Sequence, residues 1–217
     1  MFFSNLDAGK IAFIVILAIF VVVVGIFVFF LIYSPIKRKR ERKNFQYYYY
    51  KYIYKVAMVR DYYLINNFLF RIDDSHVAKI DHILFADKYI YLIIDSYFDG
   101  DIVGKEDDQS IVRIHKSGKK YYEDNPILTT NKLVNKLSLV TGIDKSLMIG
   151  VCLINNDCRC GVVTSGKFLY VVQCNRFKQL VKAIESRPVD PINEEQLAAA
   201  VKAIDKLNRR RKKGGQK

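Results

Sequence analysis

From Ile11 to Tyr33 the chain runs for 23 residues without a single charged side chain. As a helix that stretch is about 34 Å long, enough to cross a hydrocarbon layer of roughly 30 Å. A cleaved signal peptide would show basic residues before a shorter apolar run and a small-residue cleavage site after it. Here only Lys10 precedes the run and Ser34-Pro35 follow it. The reading is a permanent transmembrane helix over residues 11–33, with the lipid bilayer as its first partner.

Six basic residues come directly afterwards, Lys37, Arg38, Lys39, Arg40, Arg42 and Lys43. The positive-inside bias places everything beyond them in the cytoplasm and residues 1–10 outside, a single-pass protein of the cell membrane. A cytoplasmic domain agrees with four unevenly spaced Cys, read as reduced thiols. The formal net charge of +13 is concentrated in this cluster and in the tail Arg209-Arg210-Arg211-Lys212-Lys213 with Lys217; without the two flanks the balance is +2. The whole-chain charge therefore does not by itself demand nucleic acid, because both flanks also suit anionic lipid headgroups. With 51% hydrophobic and 26% charged residues, a disordered or fibrous chain is excluded. The absence of Trp and the wealth of Lys, Ile, Asn and Tyr hint at an AT-rich, bacterial genome.

The expected division is a short outer segment (1–10), the transmembrane helix (11–33), a basic juxtamembrane linker (34–43), one mixed α/β domain with a C-terminal helix (44–208) and a basic tail (209–217). Within the domain, Phe45 to Arg60 reads as a helix whose Tyr run packs a core face or lies at headgroup depth. Strand patterns follow at Tyr63–Phe70, Ala78–Phe85 and Tyr89–Ile94, with turns at Asp73-Asp74-Ser75 and Asp87-Lys88. A hairpin over Ser110–His115 and Lys119–Tyr122 extends them into an antiparallel meander. After Asn125-Pro126, the spacing Leu133, Val134, Leu137, Val140 predicts a helix capped by Gly142. Buried strands are expected at Leu147–Ile154 and Phe168–Val172, and a helix at Arg176–Ser186. Asn193 with Gln196 opens a last helix, where Ile192 staples onto Leu197.

Three segments stand at telling distances: Lys79-Ile80-Asp81-His82-Ile83-Leu84, Ile90 through Ile94 with Asp95-Ser96-Tyr97, and Gly100-Asp101-Ile102-Val103-Gly104, followed by Asn125-Pro126. Together, over roughly Asn44 to Val172, they resemble the nuclease-related domain (NERD) family, a branch of the PD-(D/E)xK nucleases. The resemblance implies a restriction-endonuclease-like αβββαβ core, a mixed sheet flanked by helices. It also implies metal-dependent phosphodiester hydrolysis, in which two strand-end carboxylates hold Mg²⁺ and a Lys two residues beyond the second assists the attacking water.

Carried onto this chain, the resemblance makes Asp81 the first carboxylate and metal ligand. Asp95 stands for the second, where the family has Glu, and Tyr97 stands at the Lys position; Tyr48 lies near a helical Glu of the family. A phenol with an ordinary pKa of about 10 brings no positive charge at neutral pH, so the motif is degenerate. Lys79, two residues before Asp81 on the same strand, shares its face and offers a displaced ammonium. Lys105 is a more distant substitute, and Asp81, Asp95 and Asp99 could bind metal without catalysis; alternatively, the carboxylates are simply solvated strand ends. His82 points to the opposite face from Asp81 by strand period. Cys152, Cys158, Cys160 and Cys174 lack the paired spacing of a zinc site, with Cys158-Arg159-Cys160 in a turn.

The expected function is therefore non-catalytic binding of nucleic acid or a protein partner at the cytoplasmic membrane face. Two alternatives stay open: a Mg²⁺-dependent nuclease using Asp81, Asp95 and the displaced Lys79, and a structural anchor holding anionic lipid through its basic flanks.

Overall fold

The computed structural model describes residues 8–71 and 76–208. The Asp73-Asp74-Ser75 turn, residues 1–7 and the basic tail lie outside the described residues. The chain forms two compact units that divide after Asn44.

The first unit is one helix, α1 (Ala8–Lys43), long and apolar enough to cross a membrane. Every residue from Phe13 to Tyr33 is exposed. The helix does not stop at Ser34-Pro35, and the expected linker is helical through Lys43. Pro35 lies inside the helix; its fixed φ is helical, but it removes one backbone donor and its ring crowds the carbonyl four residues earlier, at about 3 kcal/mol.

The second unit is a mixed α/β domain with two sheets flanked by helices. It begins with α2 (Phe45–Arg60), whose Tyr49, Ile53, Val56 and Ala57 form one buried face at helical spacing. The larger sheet is built from β1 (Tyr63–Arg71), β2 (Val77–Phe85), β3 (Ile90–Asp95), β7 (Met148–Ile154) and β9 (Leu169–Gln173), in that spatial order. The first three form an antiparallel meander, and β3, β7 and β9 run parallel. All seven residues of β7 are buried, as a parallel strand covered on both faces requires.

Helix α2 and α4 (Phe177–Glu185) cover one face, where Ile53 and Phe177 meet Leu84, Tyr91, Ile93 and Val151. The opposite face carries α3 (Pro126–Thr141) and α5 (Glu194–Leu207), where Val134, Leu137 and Ile204 meet Phe68, Ile83 and Leu92. The start of α5 is as the sequence signals: Asn193 Oδ1 accepts the Gln196 N–H at 2.6 Å. Gly142 ends α3 with φ 72, in the left-handed region where a side chain would be strained. The buried face of α3 is Ile127, Thr130, Val134 and Leu137, whereas Val140 is 42% exposed and lies off it.

The expected single meander is corrected by a second, four-stranded sheet. The hairpin β5 (Ser110–Ile114) and β6 (Lys120–Asp124) pairs through β5 with β4 (Asp101–Lys105), whose other edge pairs with β8 (Cys160–Val163), instead of extending β3. Thus the Gly100–Gly104 segment is largely strand, and Cys160 begins a strand instead of completing a turn. Ile102 and Ile111 pack the inner face of this sheet against Cys152 and Ile154 of β7.

One irregularity positions the site. In β1, Ile65, Phe68 and Phe70 enter the α3–α5 side of the core, and in β2 Ala78, Ile80 and Ile83 do. A period of two cannot place 65 with 68, or 80 with 83, on one face. Each strand therefore slips phase once, at Asn66-Asn67 and at Asp81-His82. Asn67 has φ 54, a left-handed conformation that Asn tolerates better than most residues. The register pairs Asn66 with His82 and Phe68 with Ile80, omitting Asn67 and Asp81 between them.

Candidate functional site

At this slip the side chains of Asp81 and His82, adjacent in sequence, line one cleft. The strand-period expectation that His82 turns away from Asp81 is overturned because regular alternation fails between Ile80 and Ile83. The cleft, of about 310 Å³, is also lined by Gln46, Tyr47 and Tyr50 of α2, Asn66 and Asn67 of β1, and Asp95 at the end of β3.

The polar groups form a connected set. The Asp95 N–H donates to Asp81 Oδ2 at 3.0 Å. Lys79 Nζ donates to Asp81 Oδ1 at 2.5 Å, and Gln46 Nε2 lies 3.5 Å from the same oxygen. His82 Nδ1 is 2.6 Å from Asn66 Oδ1, and its Nε2 is 3.1 Å from Asp95 Oδ2. With the amide oxygen of Asn66 accepting from Nδ1–H, Nε2 is left to share one proton with Asp95. The His82 ring also stacks with Tyr50, centroids 6.3 Å apart. The structure thus brings Lys79, Asp81 and Asp95 together.

Asp95 carries the largest electrostatic load. Its side chain is fully buried, and burial pushes its carboxyl above the ordinary range. The hydrogen bond from His82 and its charge oppose that rise, Asp81 adds to it and the Lys79 charge reduces it. Asp95 Oδ1 is buried with no hydrogen-bond partner. A buried acceptor without a donor is unfavourable by about 1–3 kcal/mol, which marks this oxygen as a group that a ligand proton or cation would satisfy.

The other candidates lie elsewhere. Tyr97 packs its ring 6.0 Å from that of Phe45 and is not among the residues lining the cleft. Tyr48 packs against the α2–α4 side of the core, so α2 reaches the cleft through Gln46, Tyr47 and Tyr50 instead. Lys105 belongs to β4, where its N–H donates to Asp108 Oδ2 at 2.8 Å. Asp99 stands 4.0 Å from His115 Nε2. All four Cys are free; Cys152, Cys158 and Cys174 are buried, and burial pushes each thiol up to about 12. Among the described residues no group of three or more His, Cys, Asp or Glu side chains is arranged to hold a metal ion.

Mg²⁺ demands oxygen ligands in near-octahedral geometry. Both oxygens of Asp81 and one of Asp95 are engaged, which leaves Asp95 Oδ1 as the one open carboxylate oxygen of the pair. The two carboxylates as arranged do not fit a divalent cation.

Sequence reasoning missed Gln46, Asn66 and Tyr50. The signal for the helical pair was their i, i+4 spacing beside the buried Tyr49–Ile53 face. Nothing in the local pattern of β1 marked Asn66, because its role follows from the slip.

Comparison with known proteins gives three findings. The sequence profile of the nuclease-related domain, NERD, matches residues 41–155, just over half of the chain. No curated protein matches significantly. The crystal structure of a protein of unknown function, AF1548, aligns over 77% of this chain and 99% of its own, with 10% identity and a TM-score of 0.36.

Proposed function

The chain belongs to the nuclease-related domain family, and from that membership we propose a membrane-anchored protein whose cytoplasmic domain binds nucleic acid in a nuclease-like cleft without cleaving it. The observation that carries this reading is that the acidic pair is engaged internally: Asp81 with Lys79 and the Asp95 N–H, Asp95 with His82. Such a site suits recognition more than hydrolysis, because the one carboxylate oxygen left open, Asp95 Oδ1, is buried. The order α2, β1, β2, β3, α3, β7 supports a restriction-endonuclease-like αβββαβ core, with β4–β6 and β8 as additions to it. The exposed apolar α1 supports a single membrane pass, and the basic residues at its end support a cytoplasmic domain.

Nucleic acid suits the cleft lining. Tyr47 and Tyr50 offer ring faces for base stacking, worth about 1–3 kcal/mol per base. Gln46, Asn66 and Asn67 offer amide donors and acceptors of the kind that read base edges. Lys51 lies 4.5 Å from the Tyr47 ring centroid and adds positive charge beside the cleft. The basic flanks contribute sequence-independent, salt-sensitive attraction to phosphates.

The test is fluorescence anisotropy of the full chain in lipid nanodiscs with labelled single-stranded DNA, single-stranded RNA and duplex DNA. Binding to at least one of them, weakened about tenfold by Tyr50→Ala, with no cleavage in Mg²⁺ or Mn²⁺, supports the reading. Cleavage that disappears in Asp81→Ala would replace it with a hydrolytic one. Failure to bind all three would turn it toward a protein partner or anionic lipid.

A further inference from the structure

Helices α2 and α4 share one face of the larger sheet, and their outward surfaces carry an uneven charge. Helix α2 contains Lys51, Lys55 and Arg60 and no acid; α4 contains Lys178, Lys182 and a single acid, Glu185. Glu185 is engaged from within the domain, accepting the Tyr91 hydroxyl at 2.6 Å and the Lys88 N–H at 2.9 Å. Lys51 sits over the Tyr47 ring beside the cleft. The other four cations are exposed, and among the described residues none of them forms an ion pair. A groove of about 200 Å³ between the two helices brings Arg60, Lys178 and Lys182 together. Its second acid, Asp87, accepts the Tyr62 hydroxyl at 3.0 Å. Directly after α2, the exposed Asp61 sets one further acid against the four cations.

The same surface exposes apolar side chains that the core does not use. Met58 is 64% and Val59 70% exposed, and Tyr52 and Tyr54 are exposed as well. By helical period Tyr52, Lys55 and Val59 form one ridge, and Val59 lines the groove beside α4. Cations interleaved with apolar side chains suit a surface that offers negative charge outside and hydrocarbon just beneath, which is the headgroup layer of an anionic bilayer. A nucleic-acid backbone would satisfy the cations but offers Met58 and Val59 no hydrocarbon. Chain continuity points the same way. Asn44 alone separates α2 from the apolar helix α1, so a bilayer crossed by α1 stands at high effective concentration for this face.

We propose that the outward face of α2 and α4 docks on anionic lipid headgroups, with Lys55, Arg60, Lys178 and Lys182 holding the phosphates and Met58 and Val59 dipping between them. The inference rests on the reading of α1 as a membrane anchor and is independent of what the cleft binds.

The test places a spin label on the full chain carrying Cys160→Ser and Val59→Cys, and reads its accessibility to a water-soluble nickel chelate by electron paramagnetic resonance. A second sample carries the label through Lys202→Cys on α5. In nanodiscs with about one-third phosphatidylglycerol, accessibility at position 59 should fall at least about fivefold relative to zwitterionic discs, while position 202 stays accessible in both. About 1 M salt, where screening acts within about 3 Å, should reverse the fall. So should the combined change Lys55→Gln, Arg60→Gln, Lys178→Gln and Lys182→Gln, with thermal unfolding to show that this variant is folded. Equal accessibility at position 59 in the two lipids would overturn the inference, as would an equal fall at position 202 or a fall that survives both salt and the charge variant. Protection of position 59 by single-stranded RNA in zwitterionic discs, without protection by anionic lipid, would give the face to nucleic acid instead. If α1 does not hold the chain in the disc, the anchor reading falls by itself, and the same labels read with added anionic vesicles decide the docking: no protection of position 59 by them overturns it.

Discussion

The carboxylate of Asp81 accepts the backbone N–H of Asp95 at 3.0 Å. The paired register of β2 with β3 reaches only from Phe85–Ile90 to His82–Ile93, so a side chain takes over where backbone pairing ends. The slip at Asp81-His82 turns this carboxylate inward, and the last N–H of β3 is satisfied within a buried environment. The Asp81 side chain thereby extends the β2–β3 ladder by one bond.

This double role makes Asp81 a stability determinant. Asp81→Ala leaves a buried N–H without an acceptor and should destabilise the domain by about 1–3 kcal/mol. Asp81→Asn keeps an oxygen for that N–H and should cost less than half as much. Denaturant unfolding of the full chain in detergent separates them, and equal costs would mean that the charge pair with Lys79, not the backbone contact, dominates.

Asp95 predicts a pH dependence of definite sign. Its folded-state carboxyl titrates above the ordinary value, chiefly because of burial, so the folded state holds this proton more tightly than the unfolded chain does. The contribution favours folding below the ordinary carboxylate range and is lost as pH rises from that range through the folded-state value. Asp95→Asn removes the titration. Its thermal midpoint relative to wild type should rise across that window and then level off. A difference that stays flat with pH would show that burial and His82 cancel.

Asn125 gives the motif pair Asn125-Pro126 a physical explanation. Only 1% exposed, it accepts the Ile127 N–H at 3.0 Å as the cap of α3, and its Nδ2 donates to the carbonyls of Lys105, Glu106 and Asp108. One side chain thus ties the turn after β4 to the start of α3. Asn125→Asp keeps the cap acceptor but turns the donor toward three carbonyls into a buried negative charge. Both Asn125→Ala and Asn125→Asp should cost about 2–4 kcal/mol, with Asp no better than Ala. If Asp restored most of the stability in thermal unfolding, capping alone would be the role of Asn125.

The larger sheet and its helices were legible because their signals are local: Tyr49–Ile53 at helical spacing, a wholly apolar β7, the Asn193 cap. The second sheet was not, because β4 and β8 are short, carry Gly104 and Gly161, and expose one face, so neither strand has an apolar run to reveal it. The site was half legible. Lys79, Asp81 and Asp95 followed from motif spacing and strand period, but His82 and Asn66 enter through a phase slip that a strict period of two forbids. The slip is a tertiary property, visible only when the cores on both sides of β2 are counted.

Cys160 supplies an intrinsic reporter that tests the proposed membrane topology. It is the exposed one of four free Cys, whereas Cys152, Cys158 and Cys174 are buried with thiols pushed up to about 12. The thiolate is the reactive species, and the Cys160 thiol is itself raised by burial of its surroundings, so labelling belongs at mildly alkaline pH. The basic residues Arg40, Arg42 and Lys43 close α1, and their retention on the cytoplasmic side would carry Cys160 with them. A membrane-impermeant maleimide should leave the protein unlabelled in intact cells and add one label in inverted vesicles, with none in Cys160→Ser. Labelling in intact cells would place the domain outside, where neither a cytoplasmic nucleic acid nor the reduced state of its thiols could be maintained.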